Sequence, residues 1–147
     1  MRTEALDIAF RATIYRVDTA EGIFDLRIGR PDPAFDDFLR RQGVSCWAVL
    51  TACNPGGVRD DDGNRLRRMR LQQRLQTLGW AFCSACNLAD DRMWPEEPGF
   101  LLLQVSEQEV RSLASEFCQL ACVCGVVGGA PRLVWVQESG DDAVNQQ

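Results

Sequence analysis

No histidine and no lysine occur in the 147 residues: all 16 basic residues are arginine, and there is one tyrosine, Tyr15. Without histidine the chain has no Ser-His-Asp or Cys-His machinery, no imidazole base and no histidine metal ligand. Without lysine it has no Schiff-base amine and no lysine-bearing phosphate loop. Any catalysis therefore falls to carboxylates, amides, arginines, cysteines and Tyr15. A long apolar run is also missing. The N-terminal MRTEALDIAFR sets acids inside its one apolar stretch, the pattern of neither a signal peptide nor a membrane anchor, so a cytoplasmic location is expected and a membrane is not. The 21 acidic side chains outnumber the arginines and leave a net charge of -5. Phosphate backbones call for the opposite field, so nucleic acid is not an expected partner.

What is present is an ordinary globular composition, 46% hydrophobic and 25% charged, in a length that buries roughly two-thirds of its unfolded surface without a staple. No internal repeat and no linker interrupts it. ATIYRV and IFDLRI read as a hairpin about Glu21-Gly22, after a short helix capped by Thr3. Asp32-Pro33 opens a helix that Gly43 stops. VSCWAVLTA is a buried strand that ends abruptly in Asn54-Pro55-Gly56-Gly57, and VRDDDGN reads as an exposed loop. A helix is expected from Asn64 to Leu78, then a strand WAFCSAC, an irregular acidic segment NLADDRMWPEEPG and a strand FLLLQV. Ser106 to Glu109 form a capping box ahead of another helix. LACVCGVV and PRLVWV close the pattern, and the polar tail from about residue 138 is expected to be loose. The sum is a single α/β (α+β) domain spanning 1–147, a mixed sheet of six or seven strands with three to four helices against it.

Polar residues that interrupt apolar faces mark a site. At about 100° per residue, Asn64, Arg68, Leu71, Leu75 and Leu78 form one stripe of their helix, an amide and a guanidinium at its N-terminal end. The TACNP strand delivers Asn54 to the same end, and crevices beyond strand ends are where such sheets bind ligands. The plainer alternative is that Asn64 caps its helix and Asn54 fastens a turn. In MWPEEPGF, Trp94 offers a stacking wall and Glu97 a carboxylate just before a buried strand. In EFCQLACV, Gln119 either satisfies helix carbonyls or faces the same crevice.

These segments, with YRV and LRIG near the start, resemble a bacterial family of small proteins known only as domain of unknown function 3293. The likeness runs from about Ala9 to Val136 and singles out Tyr15, Arg27, Asn54, Asn64, Glu97 and Gln119 as the family-type polar set. It carries no assigned reaction. The chain departs from the family pattern at Cys53, where tryptophan is common, and at Cys118, where glycine is usual.

Seven cysteines remain. Cys83 and Cys86 have the spacing of a zinc knuckle, and Cys122 and Cys124 would complete four thiolates. An i, i+2 pair on a strand is poorly placed for this, and buried cysteine is a common small hydrophobe, so no metal and no cofactor is expected. RLRRMRLQQR is the one basic cluster, with Arg67, Arg70 and Arg74 on one side of its helix. It reads as a solvated face or as a surface for an acidic partner. The leading expectation is a domain that binds a polar or anionic small molecule through Asn54, Asn64, Arg68, Glu97 and Gln119. The alternatives are a hydrolase or transferase with Glu97 as general base, and a protein-interaction module using the arginine helix.

Overall fold

The computed structural model describes residues 4–90 and 94–136. Thr3, Met93 and the tail from residue 138, for which a cap, part of a turn and a loose end were expected, lie outside the described residues. Among the described residues four α-helices and seven strands follow one another as α1 (Glu4–Ala12), β1 (Ile14–Thr19), β2 (Gly22–Leu26), α2 (Pro33–Arg41), β3 (Cys46–Thr51), α3 (Asp61–Leu78), β4 (Ala81–Leu88), β5 (Glu97–Leu103), α4 (Glu107–Glu116), β6 (Ala121–Val126) and β7 (Arg132–Trp135). A single 3-10 turn at Pro55–Gly57 lies between β3 and α3. This is the α+β domain expected from the sequence.

The strands form one sheet in the order β2-β1-β4-β5-β3-β6-β7. Every pairing is antiparallel, where a mixed sheet was expected. The reason lies in the crossovers. α3 joins β3 to β4, which run the same way, but β5 has slipped between them; α4 joins β5 to β6, and β3 lies between those. Each β-α-β unit is split by a strand from the other, so β3-α3-β4-β5-α4-β6 has the interleaved topology of ferredoxin-like folds. The β1-β2 hairpin extends this core on one side and β7 on the other.

Central strands are buried on both faces, which explains their unbroken apolar runs. Trp47, Val49, Leu101 and Val123 face one layer with Phe35, Phe38 and Leu39 of α2. Ala48, Leu50, Phe100, Leu102, Cys122 and Cys124 face the other, with Leu71 and Leu75 of α3 and Val110, Leu113 and Ala114 of α4. Gly125 pairs with Trp47 and leaves space for its indole, with which an added Cβ would collide. The sheet curls until the amide of Gly29, just past β2, donates to the carbonyl of Pro131, just before β7, at 2.9 Å.

Local signals hold where side chains close caps. Asp32 accepts from the Phe35 amide, and Ser106 and Glu109 form both halves of the capping box. α3 begins earlier than expected: Asp60 is its cap, accepting from Gly63. Asn64 is consequently one turn inside the helix, and the acidic part of VRDDDGN is its first turn, where carboxylates suit the dipole. β4 and β5 likewise extend into the segment read as irregular, through Leu88 and back to Glu97.

Candidate functional site

β3 and β4 end where β1, β5 and β6 begin, because the first two run opposite to the other three. The chain turns at this end of the sheet are polar, and hydrogen bonds fasten them to one another. The Thr51 hydroxyl donates to the Pro98 carbonyl at 2.8 Å and accepts from the Cys53 amide at 3.0 Å, tying the end of β3 to the start of β5. Gln119 donates to the Cys53 carbonyl at 3.0 Å across 66 residues of sequence. The Gly56 amide donates to the Cys118 carbonyl at 2.7 Å.

Asn54 is the hub. Its backbone is left-handed, φ 53 and ψ 60, a conformation that asparagine tolerates better than most residues. That geometry aims its amide in two directions. The side-chain oxygen accepts from the Asp60 amide and from Asn64 Nδ2, both at 2.9 Å. Its own Nδ2 donates to Glu97 Oε2 at 2.6 Å, while its backbone amide donates to Asn64 Oδ1 at 2.8 Å. Trp94 Nε1 donates to the same Glu97 oxygen at 3.1 Å. On the far side Arg67 donates to Asn64 Oδ1 at 2.6 Å and pairs with Asp60 at 3.1 Å. Asn54 and Gln119 are each only 7% exposed, so most of their bonds replace water that is no longer there.

Above this network α1 closes a pocket of about 330 Å³. Leu6, Ala9 and Phe10 of α1, with Leu120, Ala121 and Cys53, give it apolar walls; Tyr15, Asn54, Asn87, Trp94, Glu97 and Gln119 give it polar groups. The Tyr15 hydroxyl donates to the Phe10 carbonyl at 2.9 Å, and burial pushes this phenol well above its ordinary value. Burial also raises the Cys53 thiol. Neither is an ionised nucleophile near neutrality.

Of the residues expected at a site, Tyr15, Asn54, Trp94, Glu97 and Gln119 line the pocket, and Asn64 lies behind Asn54. Arg27 is elsewhere, donating to the Ala12 carbonyl at 3.0 Å. Arg68 packs over the Phe100 ring at 5.7 Å, and it is Arg67 that meets the asparagines. Two parts of the pocket were not anticipated. The α1 wall had only a ragged apolar face to announce it. Asn87 was assigned to a loop, although it continues the alternation Cys83, Ala85, Asn87 along β4.

That same alternation separates the cysteines. Cys83 packs with the α2 layer, Cys86 points to the opposite face, and β5 and β3 lie between β4 and β6. The four thiols considered for zinc are not brought together, and no group of three or more metal-binding side chains converges among the described residues. Burial, then a hydrogen bond to the Glu96 carboxylate, pushes the Cys86 thiol up to about 11.

The arginine helix borders a second, more open hollow of about 510 Å³, lined by Arg67, Arg70 and Arg74 with Pro55, Phe117 and Cys118. Arg74 is already paired with Glu116 at 3.0 Å. No helix among the described residues is long and apolar enough to cross a membrane.

A family model described as a protein of unknown function, DUF3293, matches residues 50–122, and the chain is similar to that family over this span. Asn54, Asn64, Arg67, Trp94, Glu97 and Gln119 all fall inside it; Tyr15, Arg27 and α1 lie outside. No curated protein and no solved structure matches the chain.

Proposed function

We propose that the protein binds a small organic molecule in the pocket between α1 and the polar end of the sheet. The observation that carries this reading is the fixed Glu97 carboxylate at the edge of an apolar hollow. Two donors from separate segments, Asn54 and Trp94, hold one of its oxygens. The pocket volume of about 330 Å³ falls in the range of small-molecule sites, and apolar walls with a few convergent polar groups are their usual make-up. Preorganised polar groups of this kind select an orientation for a ligand at little entropic cost.

Thermal unfolding against a panel of small cations, anions and neutral aromatics tests the reading. A ligand at a hundred times its dissociation constant adds about 2.7 kcal/mol, a rise of roughly 5 to 10 °C for a domain of this size. The rise is expected to vanish in Ala9→Phe, which enlarges a side chain of the α1 wall. A rise that survives the substitution removes the pocket from the account.

One feature favours an enzymatic variant of the same reading. Glu97 Oε2 takes both donors, and no described residue bonds to Oε1, which is the arrangement of a positioned general base in a hydrolase or transferase. Glu97→Gln then abolishes turnover while leaving binding of a neutral substrate intact.

A further inference from the structure

The donors and acceptors that line the pocket are unequally used. Tyr15 donates to the Phe10 carbonyl, Thr13 to the Ala9 carbonyl at 2.8 Å, Gln119 to the Cys53 carbonyl, and Asn54 and Trp94 to Glu97. These five side-chain donors are turned onto protein acceptors. Acceptors are left over. Among the described residues Asn87 Oδ1 is buried without a hydrogen-bond partner, and Glu97 Oε1 takes no donor. A buried acceptor without a donor is costly, and a ligand that supplies one recovers that cost.

Charge points the same way. No described residue lining the pocket is cationic. The nearby arginines are already matched, Arg11 with Asp7, Arg59 with Asp61 and Arg67 with Asp60. Among the described residues Glu97 is therefore the one carboxylate facing the space without a cation of its own. The sequence had pointed to an anionic ligand because Arg68 was expected in the wall. With Arg68 lying over Phe100, a carboxylate or phosphate entering here meets a like charge and no cation among the described residues that line the pocket.

Resting on the pocket reading above, we propose that the ligand class is an organic amine or related N–H cation on an apolar body. The ammonium lies between Glu97 Oε1 and Asn87 Oδ1, and the body lies against Leu6, Ala9, Phe10 and Ala121. Charge-assisted bonds of this kind are about twice as strong as neutral ones.

The test uses three probes that share one apolar body: 2-phenylethylamine, 2-phenylethanol and 3-phenylpropanoate. Each is titrated calorimetrically into the folded chain at pH 7, and the Ala9 and Ala121 methyl resonances report whether it occupies the pocket. The amine is expected to bind about tenfold more tightly than the alcohol, and the carboxylate more weakly than either. Glu97→Gln brings the amine to the affinity of the alcohol and leaves the alcohol unchanged. Asn87→Asp, which adds a second carboxylate at the unpaired acceptor, tightens the amine and weakens the carboxylate further. If the alcohol or the carboxylate binds as well as the amine while shifting those methyls, the ligand class is overturned and the pocket survives. If none of the probes binds, or the methyls do not move, both fall.

Discussion

The pocket under α1 and the arginine-lined hollow lie back to back across one turn. Asn54 and Gly57 face the first; Pro55 faces the second, together with Cys118. They are built differently. The pocket side is held by bonds between residues far apart in sequence, Asn54 to Glu97 and Gln119 to Cys53, among groups that are largely out of water. In the hollow the Arg74–Glu116 pair has side chains 38% and 45% exposed, where solvent and salt screen most of the attraction. A hydrogen bond gains its value from what its loss would leave behind. On one side the loss leaves buried amides without partners; on the other it leaves hydrated ions.

Substitutions should divide along that line. Asn54→Ala removes three side-chain hydrogen bonds and keeps a left-handed backbone that alanine resists, and it is expected to cost about 3 to 4 kcal/mol in urea unfolding. A cost under about 1 kcal/mol would mean that water replaces the network, and the contrast with the hollow would disappear. Gly99→Ala, beneath the site in β5, drives a Cβ into the Leu50 carbonyl. It is expected to cost about 2 to 3 kcal/mol and to loosen the Thr51–Pro98 clasp, seen as faster amide exchange at Cys53.

Alkaline titration sharpens the comparison from the pocket side. The folded value of Tyr15 lies above its ordinary value of 10.0 because the phenol is buried. The stability it contributes is complete below about pH 10 and is lost as pH rises, at about 1.4 kcal/mol per pH unit until the folded value is reached. The thiols of Cys53, Cys83 and Cys86, each raised first by burial, act in the same direction from their ordinary value of 9.0. Since Tyr15 is the only tyrosine, tyrosinate absorbance should appear together with unfolding and not before it.

On the hollow side the effects are smaller. Cys118 is exposed with φ 55, where glycine is at ease, so Cys118→Gly is expected to stabilise by about 0.5 to 1 kcal/mol. Arg74→Ala should leave the unfolding midpoint nearly where it is, and high salt should erase what difference there is.

How far the sequence reaches follows from which bonds are local. The caps at Asp32 and Ser106 are written within four residues and were legible, as was the stripe of Leu71 and Leu75. The meeting of Asn54 with Glu97 was legible only as a shared strand end, since nothing in a sequence separation of 43 encodes that distance. The choice between neighbouring arginines failed for a physical reason. Arg68 does lie on the apolar stripe and packs there, but helix side chains lean toward the N-terminus, and this brings the Arg67 guanidinium back to Asn64 three residues earlier. The antiparallel sheet was hidden because helix-linked strands look adjacent in sequence whether or not another strand enters between them. Cys118 marks the reverse case, a left-handed backbone position that a cysteine in the sequence does nothing to announce.

The bond from Gly29 to Pro131 has a consequence for the crowded cell. β2 and β7, the outer strands of the sheet, are five and four residues long, and the curl that joins them turns part of each rim toward the other. Pro131 has no N–H to offer an incoming strand, and short, sheltered rims give a foreign chain little to extend. The curl that positions the two ends of the sheet also protects the molecule from strand-by-strand aggregation.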